Sequence, residues 1–409
     1  MIDTGDTAWL LISAALVLLM TPGLALFYGG MVRQKNVLST FMMSFALLGI
    51  IGVLWLLYGY SLSFGPDVGG VIGDFKFAGL MNVGQEPSDT YATTVPHLAF
   101  MVFQCMFAII TVALWSGGIV ERMKFSSFLL LAILWFTFIY CPIAHWVWGS
   151  GGWLATWGIL DFAGGLVVHV NAGMSALALA FLVGRRKGFK EGEPMEPHNI
   201  PMVVLGMGLL WFGWFGFNAG SALTSGGLAA SAFVATFASG AAGGVTWMLL
   251  AWRDRRPSAL GVATGAIAGL AAVTPAAGFV HPIVGVLIGI GASVIGYYCI
   301  LWRTKRSIDE SLDVWAVHGM GGIWGTLMAG VFASAAIYGG TDGLIWGGAD
   351  VFLKQLAGVV VIGAYAFGGT WVLGKLVQLM MGIRVPADEE VVGLDISQHG
   401  ERAYGGILP

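Results

Sequence analysis

Eleven apolar runs, each long enough to cross a bilayer, leave this chain very few ways to fold. They fall near 8–30, 38–63, 97–119, 126–148, 162–184, 199–222, 227–252, 258–277, 279–302, 314–337 and 350–381. A hydrocarbon core about 30 Å thick takes roughly 20 residues of helix. Inside it every backbone N–H and C=O must find a partner within the protein, so runs of this length are read as membrane-spanning α-helices. Composition agrees, with 57% hydrophobic and only 10% charged residues, against about 25% charged in soluble domains. Glycine supplies 63 of the 409 residues, which suits helices whose backbones touch, because small residues let helices pack closely in lipid. Thr21-Pro22-Gly23 predicts a kink within the first run. The eighth and ninth runs are nearly continuous through 274–282, so their boundary is the least well marked.

Orientation follows from the basic residues, which stay on the cytoplasmic side. Sixteen of the nineteen Lys and Arg lie in one set of loops and the tail: Arg33, Lys35, Arg122, Lys124, Arg185, Arg186, Lys187, Lys190, Arg253, Arg255, Arg256, Arg303, Lys305, Arg306, Arg384 and Arg402. Lys375 flanks the same side, and Lys76 and Lys354 fall opposite. The expected topology is eleven spans in the plasma membrane, with the amino terminus outside and the carboxyl terminus in the cytoplasm. Trp9, Trp148, Trp153, Trp252, Trp302 and Trp346 lie near run ends, where an aromatic belt belongs. The longest outer loop, 65–96, reads as irregular and solvent-exposed. Cys105, Cys141 and Cys299 all sit inside apolar runs and read as buried thiols rather than a disulfide framework. No basic segment precedes the first run, so a cleaved signal peptide is not expected. Neither a metal nor a cofactor is expected. The net charge of −3 offers nothing to nucleic acid, and no nucleophile–base pair or phosphate loop suggests an enzyme.

Two histidines lie at membrane depth, one in each half of the chain. His169 follows Asp161 in the fifth run, and His318 follows Asp313 in the tenth. Five spans is an odd number, so a second set of five would enter the membrane upside down. Halves of about 1–185 and 199–337 would then form an inverted repeat with the working site between them, and the run at 350–381 would lie outside. A membrane histidine can simply cross-link helices; a matched pair points instead to a polar pathway. As neutral rings they can bond each other or a small polar solute, and as a relay they can handle protons. Asp161 directly before its run reads as a helix N-cap, and so does Asp313 before the tenth.

The segment from Asp161 through His169 to Gly173 resembles the signature of the ammonium transporter (Amt/Mep/Rh) family, in particular its Amt branch. Phe27 to Asn36, Glu121 to Phe125, Trp214 to Ser221, Val317-His318 and the tail from Gly393 to Tyr404 resemble it as well. The resemblance implies a domain of eleven helices over 1–383, a homotrimer with one pore per subunit, and a cytoplasmic tail over 384–409. It implies that Trp148, Ser221, Phe107 and the field of Asp161 recruit a cation at an outer vestibule. Phe107 and Phe217 would close the pore below it, with Phe103 beside them, and His169, His318 and Trp214 would line it. Gly393, Asp395, His399 and Tyr404 would dock the tail under the neighbouring subunit, where PII-type signalling proteins bind many bacterial relatives. Without the resemblance, Trp148 is a belt residue, Ser221 a helix-end serine, the phenylalanines core packing, and the tail disordered.

The expected function is ammonium transport: NH4+ is gathered, deprotonated, and passed as NH3 beside the twin histidines, with the proton crossing too. The alternatives are an ammonium sensor that binds without transport, and a Rh-like channel for ammonia or CO2.

Overall fold

The computed structural model describes residues 1–254 and 256–405; Arg255, counted above among the basic residues, and tail positions 406–409 lie outside them. Nine helices among the described residues are long and apolar enough to cross a membrane. They are α1 (Thr4–Met31), α2 (Gln34–Phe64), α3 (His97–Gly118), α4 (Phe125–Trp157, with a turn at 149–152), α5 (Gly165–Val183), α6 (Ile200–Gly220), α7 (Gly227–Asp254), and, after the shorter apolar α8 (Ala259–Val273), α9 (Val284–Lys305). The tenth run forms α10, a π-helical turn Trp315–Gly319 continuing as Met320–Phe332. The ninth long helix is α11 (Ala349–Met381). Large apolar side chains such as Leu11, Leu205, Phe212, Val360 and Val372 point outward along these helices. Surface of that kind is tolerable in lipid or against another subunit and not in water. The chain is a multi-pass membrane protein.

Local chemistry sets the helix ends. Asp3, Asn199 and Ser258 each accept a backbone N–H in the first turn of α1, α6 and α8, the ordinary N-cap contact. Gly184 and Gly382 close α5 and α11 at φ values of 82° and 71°. The expected kink near Pro22 falls inside a helix that runs unbroken from Thr4 to Met31. The loop at 65–96 is more ordered than its composition suggests. It carries two short antiparallel ladders, Asp67–Val68 with Ile72–Gly73 and Pro87–Ser88 with Ala92–Pro96. Phe77 stacks on Tyr60 at 5.7 Å and Tyr91 on Phe100 at 5.1 Å, pinning the loop to α2 and α3. Trp252, Trp302 and Trp346 are exposed, as a belt requires.

Glycine governs two close helix contacts that bear on the site. Along α6, Gly206, Gly213, Gly216 and Gly220 press on α1, and a Cβ on any of them would collide with backbone or side-chain atoms of that helix. Where α5 meets α10, a Cβ on Gly173 would strike the backbone of Gly319, and one on Gly322 would strike His169 Cβ and Gly165 O. Gly173 and Gly322 each lie four residues after a histidine, on the same helix face. Gly173→Val is therefore expected to force α5 off α10 and cost about 1–3 kcal/mol. A thermal unfolding midpoint unchanged in the purified variant would mean that the crossing is not tight.

The basic loops meet at one end of the bundle in a buried ion network. Glu121 accepts from Arg33 N and Nε (2.8 and 3.1 Å), from Asn36 Nδ2 (3.0 Å) and from Arg186 Nη1 (2.7 Å). Arg186 also forks onto Asp309, and Arg122 donates to Gly184 O, Gly118 O and Asp309 O. Burial alone would raise the Glu121 and Asp309 carboxyls. Arg186 and Arg33 outweigh it at Glu121, Arg122 and Arg186 outweigh it at Asp309, and both are held below the usual range. Glu121 occupies the left-handed region at φ 72°, a position that costs a non-glycine residue roughly 1–2 kcal/mol. Four charge-assisted or neutral donors offset that strain.

Candidate functional site

At the end opposite the basic loops, an open vestibule is lined by Trp148, Asp161, Ser221 and Phe107, among others. Asp161 acts from further away than a simple N-cap. Helix α5 begins only at Gly165, and the carboxylate reaches over 162–164 to accept from the N–H groups of Gly164, Gly165, Leu166 and Val167 at 2.6–3.1 Å. Its backbone carbonyl accepts from Trp148 Nε1 at 2.9 Å, which fixes the indole at the vestibule wall. The Ser221 hydroxyl donates to Phe217 O at 2.8 Å. Its proton is thereby used, and its lone pairs stay available as acceptors.

Below Trp148, Phe107 and Phe217 lie ring on ring, 4.1 Å between centroids and 22° between planes, and both are buried. Phe103 touches Phe107 edge-on at 4.9 Å. Under this closure runs a narrow bore. Among its described lining residues only His169, His318 and Trp214 carry nitrogen, and the rest are apolar. His169 follows Phe217 at 6.1 Å and Trp214 at 5.5 Å, ring centroid to ring centroid. His169 Nδ1 and His318 Nδ1 stand 3.2 Å apart.

Both imidazoles sit in π-helical turns, Gly165–Val170 and Trp315–Gly319, a distortion that recurs at functional sites. Each turn has an acid at its head, but in α10 it is not Asp313. Glu310 accepts from Val314 N and Trp315 N at 3.0 and 3.3 Å, while Asp313, at φ 61°, turns away to pair with Arg303. The Asp313 expectation is corrected: the first N–H groups of α10 go to Glu310, and the Asp313 carboxylate is held by Arg303 instead.

Thr274, unremarked in the sequence, fixes the protonation pattern. Its hydroxyl donates to Leu270 O at 2.9 Å and accepts from Trp214 Nε1 at 2.9 Å. With its proton spent, it can only accept from His169 Nε2, 3.3 Å away. The hydrogen-bond network thus assigns the His169 proton to Nε2 and leaves Nδ1 bare. His318 Nδ1 must then donate to His169 Nδ1, and His318 Nε2 keeps its lone pair.

The tail is ordered at the basic end, as α12 (Ala387–Val392) and α13 (Leu394–His399). Gly393 joins them at φ 110° and leaves no room for a Cβ beside Lys35. Leu394 N donates to Asn36 Oδ1 at 2.9 Å, and Asp395 accepts from Ser39 N at 2.8 Å. His399 meets the Phe125 ring edge-on at 4.8 Å, and Tyr404 OH bonds His198 Nε2 at 3.0 Å. These contacts tie the tail to its own chain's basic loops.

Residues 8–404 match the Ammonium Transporter Family. The chain is 49% identical to the ammonium transporter Amt1 of Archaeoglobus fulgidus, covering 98% of this chain and 99% of that one. It is 47% identical to the ammonium transporter of Bacillus subtilis, covering 98% of each. Among solved structures it resembles Candida albicans Mep2, with a TM-score of 0.90 and 36% identity over 98% of this chain and 90% of that one. With a match that spans the helices, the paired histidines and the docked tail, this chain belongs to the Ammonium Transporter Family, a family of membrane transporters and not of enzymes.

Proposed function

We propose that this chain carries ammonium nitrogen across the plasma membrane by separating NH4+ into NH3 and a proton. Trp148 and Phe107 offer π faces to a cation, an attraction of about 0.5–2 kcal/mol depending on desolvation. Ser221 offers lone pairs, and the Asp161 carboxylate adds a negative field. The observation that carries the reading is the sealed phenylalanine pair standing directly over an apolar bore whose polar side chains are two imidazoles and an indole. A bare ion there would be stranded, since charge at bilayer depth costs at least about 2.5–3.5 kcal/mol. Ammonium alone among the common monovalent cations can shed its charge by giving up a proton. The bare Nε2 of His318 then accepts an N–H from passing ammonia, and the Nδ1–Nδ1 bond gives the proton a route of its own.

The same reading takes α8 and α10 as spans beside the nine long helices, giving eleven, with α1–α5 and α6–α10 as inverted halves. The close pairings of α1 with α6 and α5 with α10 are those such a repeat would make. It places the basic end in the cytoplasm and the amino terminus outside. Three copies would form a trimer, with a PII-type protein as a candidate partner at the basic end.

Reconstituted protein on a solid-supported membrane is expected to give a current on an ammonium pulse, a smaller one with methylammonium and none with potassium or tetramethylammonium. Ammonia uptake without current would refute the electrogenic version. Saturable ammonium binding with neither uptake nor current would favour a sensor, and a tetramethylammonium current would sink the deprotonation step.

A further inference from the structure

His145, in α4, is fully buried, and the transport steps above make no use of it. Both of its ring nitrogens face atoms that accept. Nδ1 lies 3.0 Å from Ser63 O at the end of α2, and Nε2 lies 2.9 Å from Asp67 Oδ1 in the first ladder of the 65–96 loop. Asp67 accepts from Gly70 N as well, and the His145 bond holds its carboxyl below the ordinary range. A neutral imidazole has one N–H to give. Two bonds to two acceptors therefore require two ring protons, and His145 is an imidazolium. Gly149 packs so closely on this pair that a Cβ there would collide with both Nδ1 and Ser63 O.

Among the described residues, Asp67 is the charged group in bonding distance of the ring. The other titratable groups on the elements around it are engaged elsewhere. Tyr60 bonds His97, Tyr91 bonds Phe64 O and Ser150 N, and Cys141 lies against Gly59 O. Asp74 accepts from Lys76 N, and Asp161 is taken up by the head of α5. The Lys76 side chain lines an outer pocket with Asp67. Three more bonds fasten the loop to this end of α4: Trp146 Nε1 to Val71 O, Trp153 N to Gly70 O, and Ser150 N to Tyr91 OH. None of the three involves a group that titrates near neutrality.

We propose that His145 is a proton-dependent latch on the 65–96 loop, a regulatory device apart from the transport path. With two protons it ties the end of α2, the first ladder and α4 together. An imidazole changes charge between about pH 5 and 8. As pH rises and one proton leaves, either Ser63 O or Asp67 faces a bare ring nitrogen, and the ladder at 67–73 loosens. The latch holds in acid and releases in alkali, whether or not the chain carries ammonium.

The test is hydrogen–deuterium exchange of the amides of 68–74 in the purified full chain from about pH 5 to 8, each rate taken relative to a free amide at the same pH. Wild type is expected to lose protection roughly tenfold or more as pH rises, the loss of one hydrogen bond to a charged group. Asp67→Asn should abolish that fall and stay protected, because its amide can accept from Nε2–H or donate to a bare Nε2. His145→Gln should also give a flat profile. Wild-type protection that does not change with pH would overturn the latch, and so would a wild-type-like fall in either variant. Should His145→Gln not fold, the wild-type and Asp67→Asn profiles decide.

Discussion

With both imidazoles replaced, as His169→Leu with His318→Leu, the selective ammonium current is expected to drop by about a hundredfold or more, equivalent to ~2.7 kcal/mol, or to survive only as a leak that potassium shares. The bore then keeps its apolar wall but loses the bare Nε2 of His318 and the 3.2 Å imidazole contact. A proton arriving below the Phe107–Phe217 pair finds no base, and ammonia finds no acceptor there. Two leucines also lack the bonds that fix the rings to each other and to Thr274, so the wall can repack, and any water that it then admits would carry hydrated ions. Currents with ammonium and potassium, side by side, separate the two outcomes. A current of normal size and selectivity would remove the histidines from the mechanism.

Glu121→Ala is expected to destabilise the protein by about 3–5 kcal/mol, because it removes the buried carboxylate shared by Arg186 and half-buried Arg33 and leaves Arg186 with Asp309 alone. The glutamate is 1% exposed and gathers four donors from two other loops. Its folded carboxyl lies below the unfolded range, so its contribution is complete above the unfolded pKa, about 4.3. That contribution disappears as pH falls through the lower folded value. Asp309, also depressed, acts with the same sign. Wild type should therefore lose stability below about pH 4, and Glu121→Gln should start lower and fall less steeply. Thermal midpoints measured between neutral and acid pH would show this; parallel curves for the two proteins would argue that Glu121 is already protonated or unpaired.

Much of the architecture could be read from apolar spacing, since a run of twenty such residues has one solution in lipid. The histidine pair was legible because two polar residues in matching runs stand out against their surroundings. Other features depend on what arrives from elsewhere in the chain. Arg122 and Arg186 count in the sequence as solvated loop charges, yet both are buried, because Glu121 and the backbone of 309 come from other loops to meet them. Asp313 looks like a cap, but Glu310 takes the first N–H groups of α10 and Arg303 holds the Asp313 carboxylate. Thr274 falls in the stretch where two runs blur together, and its partners, Trp214 and His169, are 60 and 105 residues away.

Asn36 bonds Glu121 with one end of its amide and Leu394, 358 positions later, with the other. Ser39 N–H and Lys187 N–H likewise take acceptors from Asp395 and Glu390. Early loops must therefore wait through the synthesis of every later helix for the groups that cover them. Closure of this face thus waits on Glu390 and Asp395, and a chain halted short of Glu390 would show a quality-control protease the backbone groups that these two residues cover.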